Sequence, residues 1–453
     1  SYNVAISDGV GPTEHLRVES EYTDYRWVIR NVPALKEEAY TTTVKNYMTR
    51  IEFQLKEIRP PLQYQNIMGS WSQLASDLMK AEYFGQPITK DNGWLKDFTR
   101  PLLTGSDSKL QKAHKIFSWV RDNINCTNMG GLFLNQNLRN VVKNRNGTVS
   151  EVNLLLAAML RYEDIDSDPV LLSTRSHGFT YPLYPLLNRF NYVICKIQVE
   201  GKDYFLDASE PRLGFGYLPL QCYNGHARII DGIGTAVELS PDAVQEKKTT
   251  TVFMINGEGG KILGSMQQTP GYYESYSLRN KIKEKGKEEL VKEIKKAFGS
   301  TIEISNCRFD SLDKYEEVMG INYDFDMEQE KEDIIYLNPM FGEGYKDNPF
   351  KSAERFYPVE MPFTMDETYN LQIEIPQGYV VDELPKQLMV KFNEEGEGMF
   401  EYRISQSGNG ISLRSRIQFK RSTFLPEEYE SLREFFNLIV KKHNEQIVFK
   451  KKN

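Results

Sequence analysis

The sequence predicts an α+β fold, with a central helix-and-sheet region flanked by β-rich segments. Three observations lead there. Several stretches between residues 68 and 165 place apolar side chains at helical spacing. Residues 169–207 then read as strands joined by a glycine-containing connection. The stretches before 68 and after 235 are mostly alternating or β-branched. Helices followed by a sheet is the α+β order, not the alternation of a parallel doubly wound domain. At 453 residues the chain exceeds one ordinary domain. The expected division is 1–67, the remainder of an N-terminal β domain; 68–235, the core; and 236–453, a β-rich, sandwich-like region with inserted helices.

The elements follow in chain order. HLRVESEY and RWVIRNV mix β-branched and aromatic with polar residues, and YMTRIEFQLKEI puts Ile51, Phe53 and Leu55 on one face, as in a half-buried strand. The Pro60-Pro61 pair ends that run. GSWSQLASDLMKAEYF has helical spacing at 71, 74, 78 and 79. In SDSKLQKAHKIFSWVRDNI, Ser106 or Asp107 would cap a helix whose stripe is Leu110, Ala113, Phe117, Val120 and Ile124. TVSEVNLLLAAMLRYEDI is apolar nearly all round and predicts a buried central helix. VEGKDYF predicts a hairpin that returns 200–207 beside 190–199. After 236, one helix over about 275–298 is expected to bury Leu278, Ile282, Leu290, Ile294 and Phe298. Strands are expected in TIEISNCRF, YNLQIEIPQGYVVDELP, GMFEYRISQ, GISLRSRIQFKR and EQIVFKK, with a helix over about 426–443 before the last. Asp324, Asp326 and Glu328 alternate without the glycine and closing glutamate of a calcium loop, and read as a charged strand edge.

Composition narrows the function. Apolar residues make up 40% and aromatics 12%, enough to fill real cores. A net charge of -7 with interspersed signs argues against general nucleic-acid binding. Cys126, Cys195, Cys222 and Cys307 form no CxxC pair, and the five histidines form no HExxH or other cluster with carboxylates. No metal or other cofactor is expected. No apolar run is long enough to span a membrane. The chain begins SYNVAISDGVG without an initiator methionine, so the expectation is that an export signal and more of the first β domain lie upstream.

Residues 70–235 resemble the transglutaminase-like family, a papain-like superfamily of thiol enzymes and inactive relatives. The resemblance rests on the order of three features: Gly147-Thr148-Val149-Ser150-Glu151 before a leucine-rich helix, FNYVICKI, and YFLDAS. WVIRNVPALKEEAY, RFYPVEMPF and IEIPQGYVVDELP resemble the flanking β regions of multidomain exported proteins of the Bacteroidetes. The resemblance implies a papain-type core with a cysteine at the helix N-terminus, a histidine on a later strand and an aspartate on the next. A helix terminus favours the thiolate, the histidine supplies the base, and the aspartate orients it. In this chain those positions fall on Val149, Tyr192 and Asp207. Valine has no nucleophilic atom, and tyrosine is a poor base near neutral pH.

Other arrangements stay open at this point. A one-residue slip would put Ser150 at the nucleophile position, His177 is the remote base candidate, and Cys195 is another thiol. Alternation points Cys195 away from Tyr192. Trp119, Tyr181, Tyr184, Tyr192 and Asp207 are the candidate ligand contacts. The leading expectation is a non-catalytic binding or scaffolding protein whose partner is a peptide, a cell-wall fragment or a carbohydrate, in the periplasm or outside the cell. The alternatives are a peptidase or acyltransferase with an unrecognised Ser/Cys–His pair, and a structural envelope protein.

Overall fold

The computed structural model describes residues 2–6, 14–18, 23–32, 34–60, 62–298, 302–329 and 331–452. The side chain of Phe298 and the end of HLRVESEY lie outside the described residues.

The core begins with helix Trp71–Lys80, capped by Ser70, whose Oγ accepts the Gln73 N–H. Helix Lys109–Asn123 is capped by Ser108 rather than Ser106 or Asp107. Ser108 Oγ accepts the Gln111 N–H, and the Gln111 side chain accepts the Ser108 N–H in return. Only Ser108 stands three residues before a glutamine, so only it closes this reciprocal box. Asp107 instead accepts the Thr104 N–H and pairs with Lys115 at 2.7 Å. Ala113, Ile116, Phe117 and Val120 form the buried stripe.

Helix Val149–Tyr162 is the centre of the core, and every residue from 149 to 160 is buried. Thr148 and Glu151 close a second capping box at its start. It packs on a five-stranded antiparallel sheet in the order 235–239, 225–229, 167–172, 192–199, 202–206. Glu200 and Gly201 both take positive φ, 53° and 76°, the two-residue turn whose twist matches the paired strands. Along Tyr192–Val199 the side chains alternate between two cores. Val193, Cys195 and Ile197 join the central helix; Tyr192 and Ile194 join Val149, Leu172, Leu218 and Cys222. The edge strand Thr235–Leu239 carries this sheet past residue 235.

The C-terminal part is built on an eight-stranded sheet in the order 302–310, 320–328, 261–269, 245–256, 364–374, 410–419, 398–407, 388–391. Strands 245–256 and 364–374 run parallel, which no hairpin pattern in the sequence signals. Helix Tyr429–His443 lays Leu432, Phe435, Phe436 and Ile439 on the core, beside strand Ile447–Lys451 of a small three-stranded sheet. The helix expected over 275–298 is two helices, Tyr272–Lys285 and Lys287–Phe298. Gly286 breaks it with φ +86°, outside the helical region. The strand bearing Asp324 and Asp326 is second in the sheet, not an edge. Its acidic side chains are partnered on the outer face by Asn306 at 2.8 Å and Lys261 at 3.4 Å.

The N-terminal segment departs most from expectation. Strands Tyr2–Ile6 and Glu14–Val18 pair, but residues 49–56 form no strand. Ile51, Phe53 and Leu55 are 46%, 80% and 57% exposed, so their period of two is not backed by a buried face. What fixes the neighbouring residues is polar. Arg355, itself buried, donates to the carbonyls of Ala39 and Tyr40 at 2.7 and 3.1 Å. Glu360 accepts from Thr42, and its own carbonyl accepts from Arg175 of the core at 2.7 Å.

Candidate functional site

Val149, Tyr192 and Asp207 come together, in a sealed setting. All three are 0% exposed. Val149 and Tyr192 share one apolar cluster. Tyr192 donates its hydroxyl to Asp207 Oδ2 at 2.8 Å. Asp207 Oδ1 accepts from Asn153 Nδ2 at 2.8 Å, from the Ser209 N–H at 2.9 Å and from Ser209 Oγ at 2.6 Å. Asn153 also donates to the Val193 carbonyl and accepts the Ala208 N–H, each at 2.9 Å. The carboxylate is thus held by four donors, which is how a buried charge is tolerated. Burial first, then the Asp207 charge, push the Tyr192 phenol far up, so it acts as a fixed hydrogen-bond donor.

Of the other candidates, Ser150 is fully buried, donates to the Phe133 carbonyl at 3.1 Å and sits 3.0 Å from Thr148 Oγ1. Cys195 is fully buried on the opposite face of its strand, with its thiol pushed up by burial. His177 is not beside either of them. Its Nδ1 meets Ser173 Oγ at 2.9 Å, and the ring lines a surface groove instead. Two thiols nearer Val149 were not singled out from the sequence. Cys126 lies opposite Gly147 where strand Asn125–Asn128 pairs with Asn146–Thr148, and Cys222 joins the Val149–Tyr192 cluster. Burial pushes the Cys126 thiol up to about 11, and the charges of Asp207, Glu210 and Glu151 add to this. Its sulfur contacts the Asn128 carbonyl and Met129, with no imidazole among its partners.

The five aromatic and acidic ligand candidates separate. Tyr192 and Asp207 are sealed. Trp119 packs on Phe98 at 5.8 Å under the Arg145 guanidinium, at the rim of the core. Only Tyr181 and Tyr184 stand in an open groove, formed where loop 177–189 meets residues 45–54. Two concavities of about 340 and 490 Å³ share Glu52, Asn188 and Arg189. Tyr181, Tyr184 and Phe53 line one; His177, Lys45 and Arg50 line the other. The Phe179 N–H donates to Asn46 Oδ1 at 2.9 Å. Gly178 permits that approach, since a Cβ there would lie 2.8 Å from the same oxygen, and its φ is +114°. Arg189 lies over the Tyr181 ring at 5.1 Å and pairs with Glu52, which Arg50 also contacts at 2.9 Å. Burial, then Lys45, lower the His177 pKa, so the ring is neutral at pH 7.

Sequence reasoning missed Lys45, Arg50, Glu52, Phe53 and Arg189 because it read 47–58 as a strand of another domain. Asn153 carried a usable signal: a lone amide inside NLLLAAML must find buried partners. Among the described residues no group of three or more His, Cys, Asp or Glu side chains is placed to hold a metal ion. No described helix is long and apolar enough to cross a membrane.

Residues 96–180 match the transglutaminase-like superfamily core, and residues 333–449 match a domain of unknown function with a solved structure, DUF3858. No curated protein matches the chain. A solved structure from Parabacteroides distasonis ATCC 8503, of a protein provisionally described as a protease, aligns at 15% identity with a TM-score of 0.49. The alignment covers 84% of this chain and 59% of that one, so the chain spans less than two thirds of that structure's length. This chain therefore carries a transglutaminase-like superfamily domain, followed by a domain of unknown function, within a mixed architecture with further β-rich sheets.

Proposed function

We propose that this chain is a non-catalytic ligand-binding protein built on a degenerate transglutaminase-like domain, acting in the periplasm or outside the cell. One contrast supports the reading. The positions that the family resemblance assigns to nucleophile and base are Val149 and Tyr192, both fully buried, while an open groove lined by Tyr181, Tyr184, Phe53 and Arg189 lies where loop 177–189 meets residues 45–54. Aromatic faces beside charged and amide groups suit an extended chain with polar substituents. A peptide, a peptide-bearing cell-wall fragment or a carbohydrate has that character.

The test is turnover. At pH 7 the purified protein is expected to resist an activity-based thiol probe and to leave a broad panel of amide substrates intact. Cys126 and Cys195 are protonated there and have no imidazole among their hydrogen-bond partners. Turnover that disappears in Cys126→Ala would overturn the proposal and make that thiol the nucleophile of a peptidase or acyltransferase. Saturable binding to a peptide or glycan array, lost in Tyr181→Ala, would separate a binding protein from a purely structural envelope component.

A further inference from the structure

The groove has an internal feature that indicates which chemical group it takes. Lys45, Arg50 and Arg189 face a single carboxylate, Glu52. Both guanidiniums contact that one carboxylate, Arg50 at 2.9 Å and Arg189 in a close ion pair. Two arginines drawn to one point repel each other unless an anion stands between them. A protein of net charge -7 has here a local excess of positive charge.

The two sides of the ion pair are held differently. Arg189 ends the short turn Leu187–Arg189 of the core, its side chain is 19% exposed, and Tyr181 lies under it. Glu52 is 40% exposed and belongs to residues 49–56, which form no strand and leave Ile51, Phe53 and Leu55 in solvent. Arg189 is therefore positioned by packing, and Glu52 by little besides its ion pairs with Arg50 and Arg189. A half-exposed ion pair contributes little to stability, so removing Glu52 from its arginines is cheap. An arginine fork, by contrast, binds an incoming carboxylate through two parallel hydrogen bonds.

We propose that Arg189, with Arg50, recognises a carboxylate on the ligand, and that Glu52 is a built-in competitor which the ligand's carboxylate displaces. This rests on the groove being the binding site. It narrows the ligand to an acidic peptide over a neutral glycan. Tyr181 and Tyr184, which line the adjoining concavity, then contact the chain beside the anchored group.

The experiment uses two end-blocked hexapeptides, one alternating tyrosine with glutamate and the other alternating tyrosine with glutamine. Each is titrated by calorimetry into the wild type, Glu52→Gln, Arg189→Gln, Arg189→Lys and Tyr181→Ala. The glutamate peptide is expected to bind Glu52→Gln about two- to fivefold more tightly than wild type, as the competing ion pair is removed. Arg189→Gln should lose it, and Arg189→Lys should keep part of the affinity without the fork geometry. The glutamine peptide should respond weakly to all charge variants. Equal affinity for both peptides, lost in Tyr181→Ala, would leave the groove as the binding site and overturn the carboxylate anchor. Tight glutamate-peptide binding that Glu52→Gln does not improve would reject Glu52 as competitor. No binding of either peptide to wild type or Glu52→Gln would reject both the anchor and the groove as a peptide site.

Discussion

The cluster around Asp207 and the groove around Arg189 use the same kinds of group, carboxylate, hydroxyl and N–H, in opposite ways. Around Asp207 each polar atom has a partner and none meets solvent; the single carboxylate takes four donors from three residues. Around Arg189 the charges are unequal in number, and one carboxylate is shared between two guanidiniums. A satisfied network fixes a fold, because any change strands a buried donor. An unsatisfied, hydrated one leaves bonding capacity for something else. The difference teaches that polar groups closed on one another hold a fold together, while the capacity to bond something further is left where charges are unequal and open to solvent.

The largest effect that would sharpen this contrast is in stability. Asp207→Ala removes the acceptor of Tyr192, Asn153 and Ser209 at once. A loss of about 3–5 kcal/mol is expected, the range for breaking a buried charged network. Glu52→Ala should stay within about 0.5 kcal/mol, as for other solvated side chains. Urea unfolding followed by circular dichroism reads both. A cost below about 1 kcal/mol for Asp207→Ala would mean that its role is not structural.

Acid should probe the sealed interiors next. His443 is buried, accepts the Tyr345 N–H at Nδ1 at 3.0 Å, and meets Ser415 Oγ through Nε2 at 3.0 Å. With Nδ1 accepting, the neutral ring carries its proton on Nε2 and donates to Ser415. Protonating Nδ1 would aim a second proton at the Tyr345 N–H. Burial accordingly lowers the His443 pKa from 6.5 to about 4. The unfolded chain takes up the proton first as pH falls. The stability from neutral His443 is therefore complete above about 6.5 and is lost as pH drops towards 4, by about 2–3 kcal/mol. Buried Glu367, raised in pKa, has the opposite slope, so the comparison is between wild type and His443→Gln. The fall in stability between pH 7 and 4 should be smaller in the variant, which keeps the share of His226, lowered to about 4 by burial and Arg228; an unchanged slope would exclude a contribution from His443.

A smaller effect separates the Tyr192 hydroxyl from its ring. Tyr192→Phe keeps the packing with Val149 and Leu172 but withdraws one of the four donors to Asp207. The expected cost is about 1–1.5 kcal/mol in the same urea assay. A neutral result would show that the three donors left from Asn153 and Ser209 satisfy Asp207 without the Tyr192 hydroxyl.

How much of this was readable in advance follows from where the determinants lie. The central helix and its hairpin were legible because Leu154–Leu156 and the Glu200-Gly201 turn encode their structure locally. The Tyr192–Asp207 pairing followed from the family resemblance and the hairpin. The Ser108 cap needed only one closer look at S-x-x-Q. The groove was not legible. It depends on Asn46, Arg50 and Glu52 meeting Phe179 and Arg189 across more than a hundred residues. Period-two alternation at 51–55 pointed to a strand because alternation records residue type and not whether a partner strand lies alongside; residues 49–56 form no strand, and the three apolar side chains stay exposed. The break at Gly286 was missed for the opposite reason: the apolar spacing on either side runs in phase, and the glycine was outvoted.

The smallest expected effect tests the groove from its rim. Tyr184 is 49% exposed, lines the concavity with Phe53 and Tyr181, and is assigned to neither main core. Its ring therefore contributes contact surface without holding up the domain. Tyr184→Ala should change stability by no more than about 0.5 kcal/mol. The same substitution should weaken binding of the tyrosine–glutamate hexapeptide about threefold to tenfold, the effect of losing one aromatic contact in an aqueous site. The two measurements must be made on one preparation, because their ratio carries the meaning. Weakened binding at constant stability places Tyr184 in the site. A stability loss above about 1.5 kcal/mol would make it a packing residue. The open groove would then be a by-product of the loop's own core, and the contrast with the sealed Asp207 cluster would collapse.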